Sequence, residues 1–289
     1  MYEPEVTIIT PTYNIVDNGQ ADDFTLLVNL LDRQTYPYIE HIVIDNASND
    51  GTEVLLKEYK NSGFLNFFSE KDRGKFDAMN KGLLRAKGKY VGFLSCDDFF
   101  HDITGIADVV NTMEAEEADF CMFPSYCCQP NGTVFQFIPA MLNVFQVSPC
   151  ARQAVIFKKS VLSELNGFDE KFKLLADYDL LIRLVLKKYK GILFDGNILT
   201  YKAGVQALKH TVQVEAECNH IFYKNYKPLY PVTNEILDRM VKISEIPKPL
   251  LDRLVKCFPE EDHDLFFERY QQMYNLRADA LRAQRNQRG

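Results

Sequence analysis

The sequence HIVIDNASNDGTEVLLKEYKN, residues 41–61, contains one complete strand, loop and helix. Residues 41–45 are a largely β-branched run that ends in a polar turn, which predicts a buried strand. In residues 52–61 the apolar side chains recur at three- and four-residue steps, as an amphipathic helix requires. The turn between them is rich in Asn, Asp and Ser, which cap helices and form Asx turns.

The same alternation of strand and helix extends in both directions through the first hundred residues. Further strands are predicted at residues 6–10, 64–69 and 90–95, and further helices at residues 24–32 and 76–86. Repeated strand–helix–strand units with nearly continuous apolar strands imply a mainly parallel sheet flanked by helices. The predicted fold class is therefore α/β.

After residue 100 the alternation loosens, and three parts are predicted. Residues 1–100 form the first, residues 101–205 the second, and residues 206–289 an extension without strand signal. In the second part we expect helices at residues 106–113 and 178–187, and strands at residues 119–123, 133–137 and 154–157 and near residues 192 and 198. Aromatic and aliphatic residues recur at helical spacing in the extension, which predicts helices there.

The composition excludes several classes of protein. The 289 residues include 40 acidic and 33 basic side chains, so the formal net charge is −7. Because nucleic-acid binding needs the opposite balance, no nucleic-acid partner is expected. No stretch approaches the ~18 consecutive apolar residues of a membrane-spanning helix. The N-terminus lacks a signal-peptide pattern and the cysteine count of seven is odd, so a soluble, cytoplasmic protein is expected.

Polar and aromatic residues follow three of the predicted strands. They are Pro11, Tyr13 and Asn14 after the first strand, Asp45 at the end of the second, and Asp97 and Asp98 after the fourth. Parallel strands present their carboxyl ends at one edge of the sheet, and such sheets bind ligands there. The sequence therefore predicts a binding site at this edge.

Asp97 and Asp98 are candidate ligands of a divalent cation. The chain contains neither a G-x-x-x-x-G-K-[ST] loop nor a G-x-G-x-x-G motif after the first strand, so no glycine loop cradles phosphates. A diphosphate bound by an acidic chain would then need a cation such as Mn²⁺ or Mg²⁺. Two adjacent carboxylates beside apolar residues also repel each other unless a cation or donors compensate. A solvated turn is the alternative, and His210 is a further candidate ligand whose alternative is a structural or exposed histidine.

Asp45 is a candidate acceptor of a hydrogen bond from a nucleoside, as acidic residues at the second strand of other nucleotide-binding folds are. Pro11 and Tyr13 would supply a rigid wall and an aromatic face for the base. The alternatives are a helix-capping loop around Asp45 and a packing role for Tyr13.

Two aspartates lie at the start of the predicted apolar helix near residue 178. Asp177 is placed where a carboxylate can act as general base on a hydroxyl, with N-capping as the alternative. Asp179 is expected in the first turn, where the helix dipole favours a negative charge, which is a structural role.

Four segments carry a resemblance to a known family. They are TIITPTYN (residues 7–14), IVIDNASNDGT (42–52), DRGKFDAMNKG (72–82) followed by GKYVGFLSCDD (88–98), and NGFDEKFKLLADYDLLIRL (166–184). In order and spacing they resemble the family-two inverting glycosyltransferases with a GT-A fold, over roughly residues 5–205. The form D-x-G-x-x-D-A-M-N-K-G at residues 72–82 resembles the corresponding motif of those family members that build bacterial surface polysaccharides.

The resemblance implies roles for individual residues. It implies a nucleotide-binding set of Thr10, Pro11, Tyr13, Asn14, Asp45, Asp77, Asn80 and Asp97, metal ligation by Asp97 and Asp98, and Asp177 as the catalytic base. Two positions depart from the family pattern, because Ser95 stands where a leading aspartate is common and Ala176 stands where a glutamate is common.

The resemblance also implies an activity. A sugar would move from a nucleoside-diphosphate donor, a UDP-sugar, to a hydroxyl of a saccharide or lipid-linked acceptor with inversion. A non-catalytic nucleotide-sugar-binding module is one alternative, which Ser95 and Ala176 keep open. A sugar-1-phosphate nucleotidyltransferase is another, but residues 12–20 lack the glycine-rich basic loop that it needs.

The C-terminal end has a charge opposite to that of the whole chain. Residues 276–289 contain four arginines and one aspartate. A solvated helix end explains this pattern, and contact with anionic lipid headgroups at the inner face of a membrane is the alternative.

Overall fold

The computed structural model describes residues 5–203 and 211–286. The chain divides into two compact units. The first comprises Met1–Pro139, Cys150–Lys173 and Lys190–Val205, and the second comprises Ala140–Pro149, Leu174–Tyr189 and Gln206–Gly289.

The strands all belong to the first unit. They are β1 (Val6–Thr12), β2 (Ile39–Asp45), β3 (Asn66–Ser69), β4 (Tyr90–Phe93), β5 (Phe99–Phe100), β6 (Phe120–Met122), β7 (Ser125–Cys128), β8 (Val134–Phe137), β9 (Val155–Lys158), β10 (Gly191–Leu193) and β11 (Leu199–Lys202). The helices of this unit are α1 (Ala21–Asp32), α2 (Thr52–Asn61), α3 (Lys75–Arg85), α4 (Gly105–Ala115) and α5 (Lys159–Glu164).

A seven-stranded sheet with the order β10-β6-β9-β4-β1-β2-β3 forms the centre of the first unit. β1 pairs in parallel with β2 and β4, and β2 pairs in parallel with β3. The exception among these neighbours is β9, which runs antiparallel to both β4 and β6. The predicted mainly parallel α/β sheet is confirmed, and the register places Thr12 beside Asp45 at one edge.

The sequence pattern determines which faces of these elements are buried. In α1 the buried residues Phe24, Leu27, Val28 and Leu31 recur at three- and four-residue steps. β1 and β2 are buried along most of their length, as strands covered by helices are. The helix predicted at residues 52–61 is observed with the same bounds, as α2.

A second sheet, with the order β5-β11-β7-β8, was not predicted. β5 is two residues long and immediately follows Asp98, and β7 is four residues long. Strands of this length show no periodicity that a sequence pattern can reveal. Because β5 follows Asp98, the predicted metal-binding turn leads directly into the first strand of this second sheet.

The second unit is helical over its described residues. Its helices are α6 (Ala176–Leu186), α7 (Thr211–Tyr226), α8 (Asn234–Ile243), α9 (Lys248–Leu254) and α10 (His263–Asn286). The buried ring of Phe145 packs against Tyr226, Phe258 and Phe266, with ring centroids 5.7–6.3 Å apart. Among the described helices, none is long and apolar enough to cross a membrane.

A buried histidine links β1 and β2 inside the first unit. His41 is 5% exposed, and its Nε2 lies 3.0 Å from Thr10 Oγ1. Burial lowers the pKa of His41 to about 3 from an ordinary value of 6.5. The folded protein therefore keeps this side chain neutral at pH values where the unfolded chain would take up a proton.

This burial predicts a pH-dependent loss of stability. Between pH 6.5 and pH 3 the unfolded state binds a proton that the native state does not, so the free energy of unfolding falls as the pH falls. The loss through His41 is about 1.4 kcal/mol for each pH unit below 6.5, and above pH 6.5 His41 causes no loss of stability. Urea unfolding at pH 7, 6 and 5 should show a shallower pH dependence in His41→Gln than in the parent. Parallel curves for the two proteins would contradict this assignment.

Candidate active site

Asp45 is a hydrogen-bonding centre at the edge of the main sheet. It is fully buried, and its Oδ1 accepts hydrogen bonds from the hydroxyls of Thr12 and Ser48. Its Oδ2 accepts from Ser48 N at 2.9 Å and from the Ser69 hydroxyl at 2.7 Å. None of these contacts caps α2, whose N-cap residue is Gly51, and a nucleoside contact to Asp45 stays a prediction.

The loop after β1 is fastened to the loop after β2. Asn14 has a left-handed backbone with φ 47°, and its N donates to Ser48 Oγ at 2.8 Å. Asn14 and Asn49 also exchange hydrogen bonds at 3.1 and 3.2 Å. Pro11 is half-buried and the Tyr13 ring is 51% exposed. The ring can therefore meet a ligand, whereas the Thr10 side chain is fully buried and hydrogen-bonded to His41.

Asp77 lies in the first turn of α3. Arg73 donates hydrogen bonds to it from its backbone N and its guanidinium, both at 2.9 Å, and Lys81 Nζ lies 3.4 Å away. Burial raises the pKa of Asp77, but the bonds from Arg73 and Lys81 outweigh that effect and bring the pKa to about 2. Asp77 is therefore ionised, and it holds the loop before α3.

Asn80, one turn later, holds a second loop of the same unit. Its Nδ2 donates to Phe168 O at 2.9 Å and to Glu170 Oε1 at 3.1 Å, and its Oδ1 accepts from Phe168 N at 2.9 Å. Gly167 has φ +61°, and a Cβ there would lie 2.4 Å from Asn80 Oδ1. The turn at Gly167 allows this close approach.

The Asp97–Asp98 turn lies between β4, which ends at Phe93, and β5, which begins at Phe99. Asp98 is fully buried, its Oδ2 accepts a hydrogen bond from Ser95 N at 2.7 Å, and its Oδ1 has no partner within 3.5 Å in the described residues. Burial raises the pKa of Asp98 to about 6, and the hydrogen bond from Ser95 N, the charge of Arg152 and a hydrogen bond with the Gln153 side chain act in the opposite direction. Asp97 is half-buried, and burial raises its pKa as well, while Lys202 and Arg152 act in the opposite direction.

These carboxylates fit a divalent cation. An unpartnered buried carboxylate oxygen is costly, and Mg²⁺ and Mn²⁺ prefer hard oxygen ligands. Within residues 5–203 and 211–286 no group of three or more His, Cys, Asp or Glu side chains is arranged to hold a metal. A cation at Asp97 and Asp98 would therefore need further ligands from a substrate or water, as Mg²⁺ sites usually do. His210, the other predicted ligand, lies outside the described residues.

Sequence patterns did not identify Arg152, which lies beside this turn. It is 8% exposed, and its Nη2 donates to Ser95 Oγ at 3.2 Å. Arg152 comes just before β9, so the antiparallel pairing of β9 with β4 brings it here. Arg152 belongs to the first unit, as do the start of α3 and the loops after β1, β2 and β4.

Asp177 belongs to the second unit. It is half-buried in the first turn of α6, and its Oδ1 accepts a hydrogen bond from Tyr178 N at 2.9 Å. Leu175 occupies the N-cap position, so Asp177 does not cap the helix. Glu217 Oε2, on α7, accepts hydrogen bonds from Leu174 N at 3.0 Å and from Leu175 N at 2.9 Å. Glu217 therefore fixes the segment that leads into Asp177, a role that sequence patterns did not reveal.

Asp179 has a structural role, as predicted, although its partners are side chains. It is fully buried and accepts hydrogen bonds from Arg183 Nε at 2.7 Å, and from Lys224 Nζ and Asn225 Nδ2 at 2.9 Å. These contacts join α6 to α7 within the second unit.

Removing the Asp179 carboxylate should destabilise the second unit. In Asp179→Ala two cations lose their shared partner, and we expect the free energy of unfolding to fall on the order of 3 kcal/mol. Chemical denaturation measures this loss. Asp252→Ala, which breaks an exposed pair with Lys248, is the matched control and should change stability by less than about 1 kcal/mol. Equal effects of the two substitutions would contradict the role of Asp179.

Comparison with known proteins identifies the family. The sequence model described as glycosyl transferase family 2 matches residues 7–165. An uncharacterised glycosyltransferase of Mycobacterium tuberculosis is 31% identical over 190 residues, which is 63% of this chain and 70% of that protein. The putative teichuronic acid biosynthesis glycosyltransferase TuaG of Bacillus subtilis is 37% identical over 99 residues, 34% of this chain and 37% of that one.

Solved structures share the fold. TarS 1–349 of S. aureus, in complex with UDP-GlcNAc, aligns with a TM-score of 0.63 at 17% identity, over 96% of this chain and 92% of that chain. The mannosyltransferase PcManGT of Pyrobaculum calidifontis, in complex with GDP-Man and Mn²⁺, aligns with a TM-score of 0.61 at 19% identity, over 96% and 85%. The predicted GT-A fold is confirmed. The chain belongs to glycosyl transferase family 2.

Proposed function

We propose that this glycosyltransferase moves a sugar from a UDP-sugar to a hydroxyl of a saccharide or lipid-linked acceptor, with inversion at the anomeric carbon and with a divalent cation. The observation that carries this proposal is the Asp97–Asp98 turn, where a buried carboxylate oxygen has no described partner. A cation there would offset the free-energy cost of the unpartnered buried oxygen. Membership of the family supports a sugar donor as the substrate class.

The reaction that we propose is a single displacement. Asp177 takes the proton of the acceptor hydroxyl, and the oxygen attacks the anomeric carbon from the face opposite the diphosphate. The bond from this carbon to the diphosphate oxygen breaks, and its electron pair leaves with UDP. Inversion follows because the new bond forms opposite the old one. A bound Mn²⁺ or Mg²⁺ would stabilise the charge that accumulates on the departing diphosphate.

The first unit would hold the donor. The exposed Tyr13 ring is suited to stack on a base, and Asp77 and Asn80 hold the two loops that border α3. TarS and PcManGT structures contain UDP-GlcNAc and GDP-Man, respectively. This supports a nucleoside-diphosphate sugar as donor here, and we propose UDP as its nucleotide.

The proposed place of this reaction is cell-surface polysaccharide synthesis at the inner face of the membrane. TuaG is named for teichuronic acid biosynthesis. In α10, Leu276 is 68% exposed in a region that also contains Arg277 and Arg282. An exposed apolar side chain among basic residues favours peripheral contact with anionic lipid headgroups. We therefore propose a cytoplasmic protein that touches the membrane surface.

A donor screen tests the proposal. The purified protein is incubated with UDP-, GDP- and TDP-sugars in the presence of Mn²⁺, and release of the nucleoside diphosphate is measured. We expect slow hydrolysis of one UDP-sugar without an acceptor, and loss of this activity with EDTA. Hydrolysis of a GDP- or TDP-sugar instead would overturn the choice of nucleotide.

Calorimetry separates the enzyme from a non-catalytic binding module, the alternative suggested by Ser95 and Ala176. UDP is titrated into the protein with and without Mn²⁺. An enzyme that uses the cation should bind UDP more tightly with Mn²⁺, because a cation held by Asp97 and Asp98 would offset the negative charge of the diphosphate. Weak binding that ignores the metal, together with no release of UDP from any donor, would favour the binding module.

A further inference from the structure

Arg152 is a buried cation beside the Asp97–Asp98 turn. It begins the short 3-10 turn Arg152–Ala154, directly before β9, and is 8% exposed. In the antiparallel pairing of β9 with β4, Ile156 lies opposite Gly92. Continuing this register past the end of β4 brings Arg152 to the residues that lead into the turn.

The contacts of Arg152 connect it to the carboxylates. Its Nη2 donates a hydrogen bond to Ser95 Oγ at 3.2 Å, and Ser95 N donates to Asp98 Oδ2 at 2.7 Å. The guanidinium also acts electrostatically on both Asp97 and Asp98, where it favours their ionised forms. An arginine stays protonated at any physiological pH, so this positive charge is permanent.

We propose that Arg152 binds the diphosphate of the donor directly, as a fixed cation that shares this group with the metal ion proposed at Asp97 and Asp98. The inference rests on the proposed glycosyl-transfer function and assigns a protein contact to its leaving group. The guanidinium fork matches two phosphate oxygens, and hydrogen bonds between charged partners are stronger than neutral ones. Two carboxylates and a diphosphate are all negative, so a protein cation reduces the repulsion that the metal alone would have to offset.

Ser95 suits this role because it holds the guanidinium with a neutral group. A carboxylate at position 95 would form an ion pair with Arg152 and place a third negative charge beside the phosphates. Ser95→Asp should therefore weaken binding of UDP in the absence of metal. The loss of affinity caused by Ser95→Asp should be larger when Arg152 is present than in an Arg152→Gln background, since only Arg152 can pair with the new carboxylate.

The direct test is calorimetry without metal, with UDP, uridine and inorganic pyrophosphate as separate probes. Arg152→Gln should weaken binding of UDP and of pyrophosphate by about ten- to a hundredfold and leave that of uridine unchanged. Arg152→Lys keeps the charge but loses the fork, so it should have an intermediate effect. Lys158→Gln, which removes one positive charge at the other end of β9, where Lys158 pairs with Asp119, should change none of the three.

The possible outcomes are distinct. If Arg152→Gln binds UDP and pyrophosphate as the parent does, the inference is wrong, and it is also wrong if UDP and uridine affinities fall together. Should Arg152→Gln fail to fold in a thermal melt, the comparison of Arg152→Lys with Lys158→Gln decides in the same way. If pyrophosphate binding depends on Arg152 but no nucleotide sugar is turned over, anion binding by Arg152 is confirmed and the proposed glycosyl transfer is wrong.

Discussion

Asp177→Asn should lower the rate of glycosyl transfer by about 10²- to 10⁴-fold, because removal of a general base typically has an effect of this size. The asparagine keeps the shape of the side chain and its amide oxygen can still accept the hydrogen bond from Tyr178 N. The helix start should also be preserved, since Glu217 holds the preceding segment. The loss should therefore appear in kcat, with UDP affinity within about twofold of the parent.

Two measurements distinguish a chemical role of Asp177 from a structural one. Transfer to an acceptor is followed by release of UDP, and UDP binding is followed by calorimetry on the same preparation. The matched control is Asp238→Asn, which neutralises another partly exposed aspartate of the second unit, one paired with Lys242. Turnover that is unchanged in Asp177→Asn would remove Asp177 from the mechanism while leaving the donor site intact.

The parts of the fold that the sequence predicts are those that local patterns encode. The run at residues 41–45 and the apolar spacing at residues 52–61 correctly locate β2 and α2. The position of Asp45 follows from the end of β2. Its contacts do not, because Thr12 and Ser69 reach it from strands 24 to 33 residues away.

Arg152 and Glu217 show why the rest of the site could not be predicted. Arg152 reaches Ser95 only because β9 pairs antiparallel with β4, across a sequence separation of 57 residues. Glu217 holds Leu174 and Leu175 from a different helix, 42 or 43 residues away. Neither residue is part of a local motif, so only the pairing of elements reveals its role. For Thr10 the family resemblance implies a ligand contact, which stays a prediction, while the strand buries its side chain against His41.

The second large effect is expected at Asp98, where function and stability should move in opposite directions. In the absence of metal, Asp98→Asn removes a charge from a fully buried site. The substitution should leave the protein as stable as the parent or more stable, because burying an ionised carboxylate costs free energy. The hydrogen bond from Ser95 N can still be accepted by the amide oxygen.

With Mn²⁺ and UDP present the order should reverse. Ligands that bind only the native state raise its melting temperature in proportion to the logarithm of their concentration over Kd. The parent should therefore gain thermal stability on addition of Mn²⁺ with UDP, whereas Asp98→Asn should gain little, and its transfer rate should fall on the order of a hundredfold or more. Asp97→Asn should lose less of this gain, because Asp97 is half-buried and its charge is already partly offset by Lys202 and Arg152. If both variants are stabilised by Mn²⁺ and UDP as strongly as the parent, the cation does not bind at this turn. The unpartnered oxygen of Asp98 would then need another explanation.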